Sequence, residues 1–426
     1  MDKNWNVATM AVQGAYEPKN TDPRVLPLHM STTYVYDNCD ELAKVFDLEQ
    51  DTCMYTRLAN PTSNAFEAKI AAMEGGVGAL ATSSGMAATM ITFLTIAKQG
   101  DSVLSSSAIY GGSVTLFNTT FKNMGIEVIM FDQDASEEEI LALAKPNTKA
   151  VFAETIANPA VCVLDFDKLS SVAKKLGVPF IVDNTFATPV LCKPLELGAN
   201  IVVHSTSKYI DGHATALGGI IIDGGNFDWT NGNFPDFVEP DESYHGVKYV
   251  DNFGECAFIV KARAQIMRNT GMTPSPFNTY ITNLGCETLH LRMERHSENA
   301  VKIAKYLKNH EMCAWVKYPG LEDDKYYELA MKYLPKGQSG VMSFGVKGGR
   351  EASKKFIDSL KLAKLVTHVS DVRTCVLQPA STTHRQLSDQ ELIDCGVSPD
   401  MIRLSVGIED VNDIIADFEQ AFAKVK

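Results

Sequence analysis

Short apolar runs alternate with amphipathic stretches from about residue 60 to residue 255, and this alternation constrains the fold more than any other feature of the chain. The apolar runs, each of which predicts a strand, are 77–82, 102–105, 127–131, 150–154, 179–183, 201–204 and 218–222. The amphipathic stretches, which predict helices, include 86–98, 116–124 and 165–176. Such alternation is typical of a mostly parallel sheet with helices on both faces, so the predicted fold class is α/β.

The two ends of the chain of 426 residues have a different character. Residues 1–60 lack a regular period and predict an extended N-terminal arm, after which residues 61–255 form the sheet-containing domain. Residues 224–253 are rich in Gly, Asn, Asp, Pro and aromatics, which predicts a long loop insertion of the functional or mobile kind. Residues 256–426 predict a smaller C-terminal α/β domain, with helices over 287–307, 351–362 and 411–425 and strands near 340–346, 373–377 and 401–406.

The charge balance and the cysteines exclude several classes of function. With 39 Lys+Arg against 52 Asp+Glu, the net charge is −13, which disfavours nucleic acid and anionic membrane surfaces as partners. No apolar run is long enough for a transmembrane helix, and the N-terminus lacks the apolar core of a secretory signal. The nine cysteines show neither CxxC pairs nor zinc-site spacing. We therefore expect a soluble, cytoplasmic protein with reduced thiols and no metal site.

The sharpest local signal follows the predicted strand 201–204. Ser205-Thr206-Ser207-Lys208 places three hydroxyl groups before a lysine at the carboxyl end of a strand, where ligands of α/β sheets bind. Hydroxyl groups suit an anion such as phosphate, and an amine can form a Schiff base with a carbonyl. Taken alone, the pattern also fits an ordinary solvated lysine after a strand.

Two further segments lie where a strand ends. Ser84-Gly85-Met86 connects a strand to a helix, and backbone amides at a helix N-terminus beside small residues form an anion site. The alternative is simple N-capping of that helix by Ser84. Asp183 ends the predicted strand 179–183, where its carboxylate either faces a cationic ring nitrogen or caps a turn.

These segments and three others match, in order, the pattern of one family: Ser84-Gly85-Met86, Tyr110-Gly111-Gly112, Glu154-Thr155, Asn158-Pro159, Asp183-Asn184-Thr185 and Ser205-Thr206-Ser207-Lys208. From about residue 5 to its end, the chain resembles the Cys/Met-metabolism enzymes that depend on pyridoxal 5′-phosphate (PLP). The resemblance implies the PLP-dependent transferase fold, which is aspartate aminotransferase-like (fold type I). Within the family the chain looks most like the sulfhydrylases that act on O-acetylhomoserine. The motif Tyr110-Gly111-Gly112 has glycine where methionine γ-lyases typically carry cysteine, and residues 227–246 look like the long sulfhydrylase insertion.

The resemblance also implies roles for individual residues. The catalytic group would be Lys208, which holds PLP covalently and moves protons, together with Asp183 at the ring nitrogen and Tyr110 stacked on the ring. The phosphate would be bound by residues at the two Ser-rich segments, namely Ser84, Gly85, Met86, Ser205 and Ser207. Asn158 would contact the ring hydroxyl.

Three residues outside those segments complete the implied site. Tyr55 and Arg57 would reach the cofactor phosphate of a neighbouring subunit, with Tyr55 also beside the substrate, so the resemblance implies a homodimer or homotetramer with shared active sites. Arg403 would bind the substrate carboxylate, for which a planar fork is suited. Without the family pattern, an ordinary surface ion pair would be the first interpretation of each arginine.

The implied reaction is γ-replacement on O-acetyl-L-homoserine, with sulfide or methanethiol as the nucleophile and acetate as the leaving group. It yields homocysteine or methionine and belongs to methionine biosynthesis. The alternatives are a methionine γ-lyase, a cystathionine γ-synthase that uses cysteine, and a non-catalytic protein that has kept the fold. One segment departs from the pattern: many relatives carry a Ser- or Asn-apolar-Gly segment before the aspartate, whereas His368-Val369-Ser370 precedes Asp371 here. His368 is either a ligand-facing group or a hydrogen-bonded structural histidine.

Overall fold

The computed structural model describes residues 5–383, 385, 390, 392 and 396–425. Twelve strands are found in this part of the chain: β1 Gly78–Thr82, β2 Ser102–Ser106, β3 Glu127–Phe131, β4 Thr148–Glu154, β5 Phe180–Asp183, β6 Ile201–His204, β7 Gly219–Asp223, β8 Cys313–Lys317, β9 Val341–Val346, β10 Lys364–Leu365, β11 Cys375–Leu377 and β12 Met401–Ser405. The α-helices described are α1 Val7–Gln13, α2 Cys39–Phe46, α3 Pro61–Glu74, α4 Gly85–Ile96, α5 Gly111–Thr115, α6 Glu137–Ala142, α7 Phe166–Leu176, α8 Thr188–Leu191, α9 Pro235–Val238, α10 Tyr249–Phe253, α11 Ala257–Lys261, α12 Arg268–Thr270, α13 Pro276–Glu287, α14 Leu289–Asn309, α15 Tyr327–Tyr333, α16 Gly349–Ser359 and α17 Val411–Val425. Two π-helical segments, Leu116–Phe121 and Ala262–Met267, continue α5 and α11, and 3₁₀ turns occur at Pro194–Leu197, Glu242–Tyr244, Gly254–Cys256 and Pro379–Ser381.

A seven-stranded sheet in the order β1-β7-β6-β5-β4-β2-β3 forms the centre of the larger domain. Strands β6, β5, β4, β2 and β3 are parallel, whereas β7 is antiparallel to both of its neighbours. The predicted mostly parallel sheet is confirmed, and each of the seven predicted strands lies within two residues of an observed one. The fold agrees with the predicted PLP-dependent transferase type.

Both faces of this sheet are covered, because successive side chains of each strand point to opposite sides. In β4, Val151 and Ala153 belong to one apolar core, and Ala150 and Phe152 belong to the other. All four side chains are fully buried. The continuous apolar runs in the sequence therefore reflect strands that are buried on both faces.

The smaller domain is built on a five-stranded sheet in the order β10-β11-β12-β9-β8. Side chains of α14, α16 and α17 form a third core with this sheet. The predicted domain boundary after residue 255 stays a prediction. Phe258 of α11 and Met267 at the end of its π-helical continuation pack in the core of the larger sheet, which favours a boundary closer to α14.

One prediction for the irregular segments needs correction. The N-terminal arm is not extended throughout, because it contains the helices α1 and α2, and Met10 and Ala11 of α1 are buried in the core of the larger domain. The insertion 224–253 contains short helices, and its aromatic residues pack closely: Trp229 stacks on Phe237 with ring centroids 4.2 Å apart. Its functional or mobile character stays a prediction. No helix among the described residues is long and apolar enough to cross a membrane.

Candidate active site

The residues predicted to form the site lie at one edge of the larger sheet. Strand β7 separates β1 from β6 and is antiparallel to both, so β1 runs in the same direction as β6, β5, β4 and β2. The segments that follow the carboxyl ends of these strands therefore meet at a shared edge. They contain Ser84–Met86 after β1, Tyr110 after β2, Glu154 and Asn158 at the end of β4, Asp183 at the end of β5, and Ser205–Lys208 after β6.

The N-terminus of α4 presents unpaired donors at this edge. Ser84 caps the helix by accepting the N–H of Ala87 at 3.1 Å, which confirms the capping interpretation. The backbone N–H groups of Gly85 and Met86 donate to no acceptor among the described residues, and neither does the hydroxyl group of Ser205. Such donors at the positive end of a 12-residue helix suit a phosphate group, so capping and anion binding are compatible.

Glycine at position 85 allows the two Ser-rich segments to approach each other. A Cβ atom on Gly85 would lie 2.6 Å from Cβ of Ser205 and 3.0 Å from its Oγ, closer than carbon atoms approach in proteins. Ser207 is used differently, since its hydroxyl donates to the carbonyl of Gly218 at 3.1 Å and accepts the N–H of the same residue at 3.0 Å. Its predicted role in binding phosphate stays a prediction.

Lys208 lies in a partly buried position beside a histidine from the smaller domain. Its Nζ is 3.3 Å from Nδ1 of His368. Burial, together with the nearby charge of Arg403, lowers the pKa of Lys208 to about 8. At pH 7 roughly a tenth of the amine is therefore unprotonated, far more than for a lysine of ordinary pKa, and the unprotonated form is the one that a base or a nucleophile requires.

Two carboxylates end neighbouring strands, Asp183 on β5 and Glu154 on β4. Asp183 accepts the N–H of Thr185 at 2.9 Å, and burial raises its pKa. Glu154 accepts the N–H of Tyr110 at 2.7 Å and that of Asn158 at 3.2 Å, while burial and the charge of Asp183 raise its pKa. A cation at Asp183 would offset the burial of its charge.

Glu154 is a site residue to which the sequence reasoning assigned no role, although it stood in a quoted motif. Its carboxylate fixes the backbone at Tyr110 and at Asn158, two residues predicted to contact the ring. Its position in the sequence could have indicated a role, because Glu154 is a carboxylate at the carboxyl end of an apolar strand, as Asp183 is on the next strand. The ring of Tyr110 folds over Gly112, where a Cβ atom would lie 2.4 Å from it.

Arg403 connects the smaller domain to the site. It lies on β12, and its guanidinium donates to Oδ1 of Asn158 at 3.4 Å and to the carbonyl groups of Thr367 and His368 at 3.2 Å each. Three of the five guanidinium N–H groups are thus used within the described chain, and the other two remain for an anion. The carboxylate-binding role of Arg403 remains a prediction.

Tyr55 and Arg57 belong to the predicted N-terminal arm. Both are exposed, and the guanidinium of Arg57 lies 5.3 Å from the ring centroid of Tyr55. Among the described residues, no hydrogen bond, ion pair or ring contact joins either of them to the other predicted site residues. No ion pair with a described carboxylate is found for Arg57 either, so the local ion pair considered as its alternative is absent from this part of the chain.

The residues present fit three functional groups of PLP, namely its phosphate, its aldehyde and its ring nitrogen. The free N–H groups at the start of α4 suit its phosphate, the amine of Lys208 suits its aldehyde, and the carboxylate of Asp183 suits a protonated ring nitrogen. The N–H groups of Gly85 and Met86 have no partner among the described residues, and they lie at the same sheet edge as Lys208 and Asp183.

Known proteins resemble this chain over its whole length. Residues 8–423 match the family described as Cys/Met metabolism PLP-dependent enzyme. An O-acetyl-L-homoserine sulfhydrylase from Leptospira meyeri is 45% identical over 435 aligned positions, covering 100% of this chain and 98% of the relative. A homocysteine synthase from Schizosaccharomyces pombe is 44% identical, covering 97% of each chain.

Solved structures show the same relationship. A Campylobacter jejuni protein assigned as an O-acetylhomoserine (thiol)-lyase superposes with a TM-score of 0.95 at 37% identity, covering 98% of this chain and 100% of that one. That crystal structure contains N′-pyridoxyl-lysine-5′-monophosphate.

Proposed function

This chain belongs to the family of Cys/Met metabolism PLP-dependent enzymes, and we propose that it catalyses γ-replacement on O-acetyl-L-homoserine with sulfide or methanethiol. The products are homocysteine or methionine, and acetate. The observation that carries the proposal is the amine of Lys208, whose pKa is lowered to about 8, at the same sheet edge as Asp183 and the unpaired N-terminus of α4. The names of the relatives, which are sulfhydrylases and homocysteine synthases, support this choice of reaction.

When bound, PLP supplies an aldehyde that condenses with amines and a ring that takes up electrons from the substrate's α carbon. Lys208 moves the protons. Its amine removes a proton from Cα of the substrate and then one from Cβ, after which acetate leaves from Cγ. The sulfur nucleophile then adds at Cγ, and protons are returned to Cβ and Cα. A lysine of ordinary pKa would be almost entirely protonated at neutral pH, so the lowered pKa of Lys208 is what makes this role possible.

The other site residues orient the cofactor and stabilise its charged groups. Asp183 provides the negative charge that keeps a ring nitrogen protonated, and Tyr110, fixed by Glu154, is positioned to cover a flat ring. The donors of Gly85, Met86 and Ser205 bind the phosphate, with Ser84 supporting them as the cap of α4. Asn158 contacts the ring hydroxyl. Ser207 joins the phosphate-binding group when its hydroxyl hydrogen turns from the carbonyl of Gly218 towards the phosphate.

Substrate binding and assembly complete the proposal. Arg403 binds the α-carboxylate with the guanidinium N–H groups that the fold leaves free. Tyr55 and Arg57 are exposed and have no partner among the described site residues of their own chain, and they serve the active site of a second subunit. The working unit is thus a homodimer with shared sites, and two dimers form a homotetramer. We assign the enzyme to the cytoplasm, consistent with the free state of all eight described cysteines.

Steady-state kinetics test the function. The purified holoenzyme is assayed with O-acetylhomoserine and O-succinylhomoserine, each against sulfide, methanethiol and cysteine. We expect the highest kcat/KM for the acetyl ester with sulfide or methanethiol. Formation of 2-oxobutyrate without any thiol would indicate a γ-lyase instead, and a preference for cysteine would indicate a cystathionine γ-synthase.

A further inference from the structure

We propose that His368 is a positioning residue for Lys208, whose amine it holds by accepting a hydrogen bond at Nδ1 whenever that amine is not covalently engaged. The two atoms are 3.3 Å apart, although the residues are separated by 160 positions and lie in different domains. The contact answers the question left by the sequence, where His368 stands in the segment that departs from the family pattern.

The direction of the hydrogen bond follows from the chemistry of the two groups. Below its pKa of about 8, Lys208 is an ammonium, which has hydrogens to donate and no lone pair to accept one. Nδ1 of His368 must therefore be the acceptor, and the ring must be neutral with its hydrogen on Nε2. Nε2 is buried and has no partner among the described residues, so the lysine contact alone determines this tautomer.

The surroundings of His368 keep the ring neutral. Burial and the positive charges of Lys208 and Arg403 lower its pKa, and these effects outweigh the opposing charges of Asp371 and Asp211. The imidazole thus remains an acceptor throughout the pH range in which Lys208 titrates. Its backbone carbonyl is also held, since it accepts hydrogen bonds from the guanidinium of Arg403 at 3.2 Å and from the thiol of Cys375 at 3.5 Å.

A held amine has a functional consequence. A lysine side chain has four rotatable carbon–carbon bonds, and once its amine is free it must return to the same place for each proton transfer. An acceptor at a fixed position restricts the conformations that the free amine adopts. Because the acceptor also favours the ammonium over the amine, it raises the pKa of Lys208 relative to the same site without it.

The titration of Lys208 itself tests the proposal without any substrate. In the full-length enzyme freed of PLP, the rate at which trinitrobenzenesulfonate modifies Lys208 is measured against pH by peptide mass spectrometry. We expect the apparent pKa of Lys208 to fall by about one unit in His368→Leu, corresponding to a tenfold change in the protonation constant. His368→Asn retains an acceptor and is expected to keep the wild-type value. His245→Asn, at a histidine whose side chain is 89% exposed, is the matched control.

A second measurement, the titration of His368 in a Lys208 variant, does not depend on whether the leucine variant folds. In Lys208→Met labelled with ¹³C-histidine, the signal of His368, assigned by its loss in His368→Asn, is expected to titrate at higher pH than in the wild-type apoenzyme, because a lysine charge has been removed.

In the holoenzyme, His368→Leu is expected to lower kcat at least tenfold with a smaller change in KM, and His368→Asn to retain most of kcat. This last readout alone rests on the proposed function. An unchanged Lys208 titration in a folded His368→Leu variant, or an unchanged His368 titration in Lys208→Met, would overturn the proposal.

Discussion

Glu154 and Asp183 end neighbouring parallel strands and stand directly opposite each other in register. Two carboxylates this close in a shielded site repel each other when both are ionised, and burial and the charge of Asp183 raise the pKa of Glu154. Glu154 is the member with a structural task, because its two oxygens accept the N–H groups of Tyr110 and Asn158. Asp183 is the member left free to face a cationic ligand.

Glu154→Gln is expected to lower the free energy of unfolding. A glutamine offers a single oxygen, so its NH₂ group opposes one of the two backbone N–H groups that Glu154 now accepts. Leaving a buried donor unpaired costs about 1–3 kcal/mol in the free energy of unfolding, measurable by urea denaturation. Glu49→Gln, at an exposed position, is the control. If the two variants were equally stable, the proposed task of Glu154 would be wrong.

Lys208→Ala is expected to abolish turnover while PLP still binds without a covalent bond. The donors that suit the phosphate belong to other residues, at Gly85, Met86 and Ser205. The measurement combines the steady-state assay with the absorbance of the purified protein, which should be that of the free PLP aldehyde. More than a small fraction of wild-type activity in this variant would exclude Lys208 as the base.

Asp183→Asn is expected to reduce kcat far more than stability. The substitution keeps the oxygen that accepts the N–H of Thr185 and removes the charge that a protonated ring nitrogen needs. Loss of a charge-assisted hydrogen bond is worth roughly 1.5–3 kcal/mol, or about one to two decades in rate. Because burial raises the pKa of Asp183, removing its charge should leave the unfolding free energy of the apoenzyme unchanged or higher. A wild-type kcat with bound PLP would refute the assignment.

The sequence predicted the parts of this site whose position follows from strand order. Apolar runs located the strands, and parallel strands bring Asp183 and Lys208 to the same edge however far apart they are in the chain. It did not predict the contact between Lys208 and His368, because that contact depends on how the two domains pack. Nor did it predict the stacking of Trp229 on Phe237, since aromatic residues in a segment rich in Gly and Pro have no period from which packing can be derived.

Asp223 offers a test of pH-dependent stability away from the active site. It ends the antiparallel strand β7, at the opposite edge of the sheet, where its carboxylate accepts the N–H groups of Gly225 and Ile259. Burial raises its pKa from 3.8 to about 7. As the pH rises, the unfolded chain therefore releases this proton at a lower pH than the folded protein does. The contribution of Asp223 to the free energy of unfolding falls between about pH 4 and about pH 7, by at most ~4 kcal/mol, and is constant above that range.

Asp223→Asn is expected to remove that pH dependence. The unfolding free energy of the variant, minus that of the wild type, should increase between pH 4 and pH 8 in urea denaturation experiments. The kinetic parameters at pH 8 should not change, because Asp223 lies at the edge opposite to the site. Asp37→Asn, at an exposed carboxylate, is the control. A difference that is constant with pH would show that Asp223 is ionised normally.

The last prediction concerns the arm that carries Tyr55 and Arg57. Both side chains are exposed, and no ion pair with a described carboxylate is found for Arg57. This is notable in an acidic protein, in which carboxylates outnumber the basic side chains. Exposed side chains that contact no other described residue of the predicted site are readily ordered on another copy, and a two-fold interface would complete both sites at once. We therefore expect the smallest active unit to be a dimer in which Arg57 acts in the site of the other subunit.

Mixing two inactive variants distinguishes this arrangement from one in which Arg57 acts within its own subunit. Arg57→Ala and Lys208→Ala should each be nearly inactive as homodimers. In a co-refolded heterodimer, one of the two sites combines the native Arg57 of one subunit with the native Lys208 of the other, so activity should return to about half of that of the wild type per heterodimer. Differently tagged chains allow the heterodimer to be purified and counted. If Arg57 served its own subunit, every site in the heterodimer would lack one of the two residues. Purified heterodimers without activity would therefore show that the site is not shared through Arg57.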